Sequence, residues 1–139
     1  MKKIIFSLVI LSVMLTGCGK ETLSCTSKSN NLGRNVQTKI IVTFDKKSAS
    51  KVVTNINTTY EQEYLAELEA NYQNFKESFE AYKKIKGVKT KLNKKENALD
   101  VELEFDMSEE EAKENSGFAE YNTKEEYKIF LEESGYTCK

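Results

Sequence analysis

The chain has 139 residues, with 21 basic and 22 acidic side chains and no His, Pro or Trp. A formal charge of −1 excludes the strongly basic surface that nucleic-acid binding requires. The length supplies one domain with a modest core, too little for two lobes that close around a solute. Without histidine the chain lacks the usual general base, metal ligand and pH switch.

Met1-Lys2-Lys3 is a short basic start, residues 4–15 are apolar except for Ser7 and Ser12, and the small residues Thr16 and Gly17 directly precede Cys18. This is the order of a secretory signal: a charged region, an apolar region and a small-residue cleavage site. The apolar run is shorter than the roughly 20 residues that span a bilayer core. The tetrad Leu15-Thr16-Gly17-Cys18 resembles the lipobox of bacterial lipoproteins. That resemblance implies cleavage between Gly17 and Cys18 and a diacylglyceryl thioether on Cys18, often with a palmitate-type chain on the new amino terminus. It also implies attachment to the cell membrane on its extracytoplasmic side. Two acyl chains anchor stably where one binds only marginally. Lys2 and Lys3 leave with the signal, so the remaining charge is more negative, and no electrostatic attraction to anionic lipid is expected.

Residues 18–22 read as a polar tether, and a single domain is expected over residues 23–139. Residues 23–26 read as a first short strand and residues 27–34 as a turn-rich loop through Ser29-Asn30-Asn31 and Gly33. Val36, Thr38, Ile40, Val42 and Phe44 then alternate with Gln37, Lys39 and Thr43, which predicts a half-buried strand, with Ile41 the exception. Residues 45–48 turn the chain, and residues 51–58 form a second full strand in an antiparallel hairpin.

Thr58 or Thr59 fits the N-cap of a long helix, with Glu61 or Gln62 completing a capping box. Tyr64, Leu65, Leu68, Tyr72, Phe75, Phe79 and Tyr82 recur at helical spacing and define one apolar stripe, ended by Gly87. Residues 88–92 form a short strand. In the next strand Leu99, Val101, Leu103, Phe105 and Met107 alternate with Asp100, Glu102, Glu104 and Asp106. A one-residue slip would bury four carboxylates, so the register is strongly specified. Lys89 and Lys91 are expected across from that acidic row. Ser108-Glu109-Glu110-Glu111 predicts a short helix, and Thr123-Lys124-Glu125-Glu126 opens a last one carrying Tyr127, Phe130 and Leu131.

The fold class is α+β: an antiparallel sheet of four to five strands, packed by one long amphipathic helix and completed by a shorter C-terminal helix. Cys25 and Cys138 stand near opposite ends of the mature chain, in a compartment where disulfides persist. A bridge between them is expected. The alternative is two free thiols, and a redox pair lacks its C-x-x-C motif.

The acidic row could gather a hard cation, but a straight strand cannot bend around an ion as a calcium loop does. A solvated outer face is the expectation, and no metal is expected. Glu109, Glu110 and Glu111 complement a helix N-terminus. The aromatic stripe is expected to be core; the alternative is a ligand groove lined by Tyr64, Tyr72, Phe75 and Tyr82. No G-x-S-x-G motif and no histidine partner for a nucleophile are present, so no catalytic residues are assigned.

The lipobox, the strand pair, the helix ending in Ile85-Lys86-Gly87-Val88-Lys89, the charged alternating strand and the finish Glu133-Ser134-Gly135-Tyr136 together resemble the YehR-like small lipoproteins of bacteria. The resemblance spans the chain, although Cys25 and Cys138 are not part of that family's general pattern. It implies a small lipid-anchored α+β domain of unassigned biochemical role and brings no catalytic residues. The function expected is a non-enzymatic binding or accessory role toward an envelope protein or the cell wall. A small-ligand carrier or sensor using the aromatic groove is the alternative, and a carboxylate-based envelope hydrolase is a third reading.

Overall fold

A computed structural model describes residues 20–139. The signal, the cleavage site and Cys18 lie outside the described residues. Six strands form one antiparallel sheet: β1 (Lys20–Asn31), β2 (Arg34–Asp45), β3 (Ser48–Tyr60), β4 (Val88–Lys94), β5 (Ala98–Asp106) and β6 (Thr137–Cys138). Their order across the sheet is β4-β5-β3-β2-β1-β6. The helices are α1 (Leu65–Tyr82), preceded by a 3-10 turn at Gln62–Tyr64, then α2 (Glu110–Asn115) and α3 (Lys124–Glu133).

The α+β class stands, but the expected four to five strands packed by one long helix and a shorter C-terminal one are corrected, among the described residues, to six strands and three helices. The first strand is 12 residues long, because the polar residues expected to form a loop continue the ladder: Ser27, Lys28 and Ser29 pair with Thr38, Gln37 and Val36. Lys20, Glu21 and Thr22, read as tether, pair with Asp45, Phe44 and Thr43. Ladder hydrogen bonds and neighbouring side chains decide strand formation here more than intrinsic propensity does. Thr58 and Thr59 are likewise strand residues, opposite Leu99 and Ala98, and α1 begins later, with Tyr64 at its N-cap position. At α3 the capping box forms as expected. Thr123 accepts from the Glu126 N–H at 3.3 Å, and the Glu126 carboxylate accepts from the Thr123 N–H at 2.9 Å.

Register places the apolar residues on one face. Leu23, Val42, Val52, Phe105 and Val88 are successive cross-strand partners and form a buried row across five strands. Two hydrophobic clusters cover that face. In one, Leu23, Ile40, Val42, Phe44, Val52 and Phe105 meet Ala112 of α2 and Tyr127 and Leu131 of α3. In the other, Leu68 and Phe79 of α1 pack with Tyr60, Leu99 and Val101. Burying each Val, Leu or Phe side chain contributes roughly 1.5–3 kcal/mol.

Candidate interaction surface

The residues between the apolar positions of each strand make the opposite face. Antiparallel sheets commonly leave one face solvated, and alternation with period two then turns the intervening side chains to that face. The rows of this face read Thr26, Lys39, Asn55, Glu102, Lys91 and, one step along, Lys28, Gln37, Asn57, Asp100, Asn93. Lys28, Gln37, Lys39, Lys91 and Asn93 are exposed, whereas Asn55, Asn57, Asp100 and Glu102 are half-buried. Ile41, the exception to the alternation, sits on this face opposite Val53.

The acidic row is a paired outer face, as its spacing implied. Glu104 lies opposite Lys89 and Glu102 opposite Lys91. Nζ–Oε1 distances are 3.6 Å for Lys89–Glu104, 3.7 Å for Lys91–Glu102 and 3.7 Å for Lys51–Glu104. Exposed pairs of this kind contribute little stability. Their effect is local: Asp100, Glu102 and Glu104 each have a lysine, and Asp106 is held by Ser108 instead. Asp100 accepts from Lys95 Nζ at 2.8 Å and from the Asn57 amide, and these two contacts, the lysine first, hold its carboxyl below the ordinary carboxylate range. Asp106 is lowered by the Ser108 hydroxyl at 2.6 Å and then by the Ser108 N–H at 3.0 Å. Among the described residues, no group of three or more Cys, Asp or Glu side chains is arranged to hold a metal ion.

Two shallow recesses lie side by side on this face. One, of about 260 Å³, is walled by Asn55, Asn57, Lys91, Asn93, Asp100 and Glu102. The other, of about 410 Å³, is walled by Lys28, Asn30, Asn35, Gln37, Asn57 and Thr59. Asn57 belongs to both. Six side-chain amides (Asn30, Asn35, Gln37, Asn55, Asn57, Asn93) therefore share one surface. Each amide both donates and accepts hydrogen bonds, so the surface suits a neutral polar partner rather than a single ion. The lateral extent of the cluster depends on register, which sets Asn57 in one cross-strand row with Gln37 and Asn93.

The aromatic stripe is placed differently. Tyr64, Tyr72, Phe75 and Tyr82 are half-buried and pack against the cluster beneath α1. Phe75 meets Phe79 at 5.9 Å between ring centroids, and Tyr82 meets Phe105 edge-on at 6.2 Å. Lys94 Nζ covers the Tyr72 ring at 4.8 Å. None of the four lines either amide recess. The stripe is thus occupied in joining α1 to β4 and β5.

Cys25 and Cys138 are directly opposed across β1 and β6, with sulfurs at bonding distance, 1.98 Å. Tyr127, expected on the last helix, has a hydroxyl whose surroundings the sequence does not reveal. Its side chain is fully buried among Phe44, Phe118 and Tyr121, and its hydroxyl has no hydrogen-bond partner among the described residues. Burial, and then the nearby Glu126 carboxylate, push its pKa up to about 12.

These features define a small one-sheet α+β domain with helices on one face and a polar open face. No family model and no curated protein matches the sequence. Among solved structures, the chain is similar to a protein from Streptococcus pneumoniae TIGR4 whose structure was determined by NMR. The TM-score is 0.55 at 13% sequence identity, covering 86% of this chain and 85% of that one. That likeness concerns the fold alone.

Proposed function

We propose that this protein is a lipid-anchored lipoprotein of the bacterial cell envelope whose domain is a binding module rather than an enzyme. The observation that carries the reading is the amide-rich open face, built on five paired strands, whose carboxylates Asp100, Glu102 and Glu104 are each matched by a lysine. Peptide backbone and glycan hydroxyl groups, the polar groups of envelope proteins and cell wall, match such a surface because they too donate and accept. The anchor rests on the sequence of residues 1–18 and on its resemblance to lipobox-bearing proteins. The resemblance to YehR-like lipoproteins agrees with that frame and adds no activity.

Two experiments test the two halves. Labelled palmitate should enter the wild-type protein, whereas the Cys18→Ser variant should take up none and leave the membrane fraction; undiminished labelling of the variant would refute the anchor. The released Cys18→Ser protein should also be retained on isolated envelope material. Adding Asn35→Ala and Gln37→Ala on the open face should weaken retention, while Ser78→Ala on the exposed side of α1 should not. Equal retention of all three proteins would remove the open face as the binding surface.

A further inference from the structure

The sheet begins almost at the anchoring cysteine. Gly19 alone separates Cys18 from Lys20, the first residue of β1. Two residues of extended chain reach at most about 7 Å. Lys20 is the cross-strand partner of Asp45, and Asp45 leads directly into the turn Lys46-Lys47 that joins β2 to β3. The tip of this hairpin therefore lies beside the start of β1. The other end of β1, at the Leu32-Gly33 turn, is roughly 40 Å away for a strand of this length.

The residues gathered at the near end are unusual. Lys46 and Lys47 both have positive φ, 51° and 82°, as a type I′ hairpin turn requires at its two central positions. Asn-Gly is the ordinary choice there, because other side chains resist the left-handed region. Lysine at both positions gives up local stability and places two cations at the outermost point of the turn. Lys46, Lys47 and Lys124 share the wall of one recess of about 450 Å³, together with Thr123, Glu21 and Phe44. Lys20, Lys46, Lys47 and Lys124 are all exposed.

Four carboxylates stand nearby. Glu21 is paired with Lys124 at 3.4 Å, Asp45 lies opposite Lys20, and Glu125 and Glu126 sit in the first turn of α3, where Glu126 accepts from the N–H groups of Asn122 and Thr123. Among the described residues neither Lys46 nor Lys47 forms an ion pair. The hairpin tip itself is thus locally positive on a chain whose total charge is −1. Whole-chain charge, from which no lipid attraction is expected, averages this corner away.

We infer that the Lys46-Lys47 hairpin tip, with Lys20 and Lys124, docks on the anionic headgroups of the membrane that holds Cys18, so that the strands stand upright from the bilayer and present the amide face sideways. The inference rests on the lipid anchor proposed above. A lysine near an anionic bilayer is attracted by about 1 kcal/mol, and the attraction decays within a Debye length of about 8–10 Å. The short reach from Cys18 brings the hairpin tip within that range.

The test is lysine footprinting of the intact lipidated protein, reconstituted into phosphatidylcholine vesicles with or without phosphatidylglycerol. An amine-reactive reagent should modify Lys46 and Lys47 about fivefold more slowly when phosphatidylglycerol is present. Lys28 and Lys95, toward the far end, should react alike in both. Salt at about 0.5 M should abolish the difference. Equal reactivity of Lys46 and Lys47 in the two vesicle types overturns the docking. The same mass spectra show whether Cys18 carries its lipid: a lipidated terminus with unprotected lysines defeats the docking alone, whereas an unmodified terminus defeats the anchor and the docking together.

A second variant separates charge from folding. Lys46→Asn with Lys47→Gly restores the ordinary turn and removes both cations, so it should melt no lower than wild type. In this variant the protection of Lys124 should fall. Full retention of that protection would overturn the assignment to the tip.

Discussion

Cys25 and Cys138 face each other as a non-hydrogen-bonded pair of the β1–β6 ladder, with Cα atoms 4.0 Å apart at a sequence separation of 113. Ser24 and Lys139 alongside exchange both backbone hydrogen bonds, at 3.1 and 2.8 Å. Non-hydrogen-bonded positions bring opposed side chains closest, which is where a cross-strand bridge forms. The pair fastens the edge of the sheet where a two-residue strand has little else to hold it.

The first prediction concerns that bridge. A loop of this length corresponds to about 3–5 kcal/mol of stabilisation through the unfolded chain. Reduction, or replacement of both cysteines by Ala, should lower the free energy of unfolding by that amount, read as a shift in urea midpoint. Alkylation before reduction should leave both thiols unlabelled. An unchanged midpoint after reduction would show that the bridge contributes nothing.

Tyr127 yields a prediction with an unusual sign. Large aromatic side chains cost several kcal/mol when truncated in a core, but here only the hydroxyl is at issue. It is buried without a hydrogen-bond partner among the described residues, and a buried unpaired polar group costs about 1–3 kcal/mol. Tyr127→Phe keeps the ring contacts with Phe44 and Phe118 and should raise stability by about 1 kcal/mol, seen as a higher Tm. A lower Tm would mean that the hydroxyl is satisfied.

The same residue makes folding sensitive to base. Its pKa rises from 10.0 in the unfolded chain to about 12 in the folded one. Below pH 10 both states keep the proton, so stability is unaffected. Between pH 10 and 12 the unfolded chain ionises first, and stability falls by about 2–3 kcal/mol in all. Tyr127→Phe should remove that part of the alkaline loss. Identical slopes in variant and wild type across this window would count against it.

Much of this architecture is legible where one face of a strand is apolar. Val101, Leu103 and Phe105 alternating with Glu102 and Glu104 define the orientation of β5 and with it the pairing to Lys89 and Lys91. Legibility fails where both faces are polar. Lys28, Ser29 and Asn30 carry loop composition, yet they pair with Gln37, Val36 and Asn35 across the tight Leu32-Gly33 turn, where no apolar alternation marks the strand. Thr58 and Thr59 look like helix caps because the local pattern is right, but β5 claims their backbone. The Lys46-Lys47 turn escaped notice as a special site because lysine carries no ordinary signal for positive φ. The open amide face depends on lateral neighbours, because no one strand carries more than two of its six amides.

Asp100 supplies an acid-side prediction. Lys95 and Asn57 lower its carboxyl below the ordinary 3.8, so the folded state holds this proton less tightly than the unfolded state does. Its contribution is therefore complete above about pH 4 and disappears as pH falls through the lowered folded value. The group is partly exposed, which limits the effect to below about 1 kcal/mol. Asp100→Asn should be slightly less stable than wild type at pH 7, and the two should converge below pH 4. A constant difference across the range would assign the effect to packing instead.

The last prediction compares two glycines with left-handed backbone. Gly33, at φ 70°, turns β1 into β2, and its carbonyl accepts from the Glu61 N–H at 2.9 Å. A Cβ built there would lie 2.2 Å from Cε2 of Tyr64, inside the ring's own volume. Gly117, at φ 81°, lies between α2 and α3 with nothing within 4 Å of such a Cβ. Both Ala substitutions incur the left-handed penalty of about 1–2 kcal/mol. Gly33→Ala must in addition displace a ring that packs on the α1 cluster, which adds about 1–3 kcal/mol of overpacking. Urea titration should therefore rank Gly33→Ala well below Gly117→Ala. Tyr64→Ala in the Gly33→Ala background should recover part of the loss, because it removes the obstructing ring. Equal losses for the two glycines would show that the hairpin tip moves freely away from the start of α1.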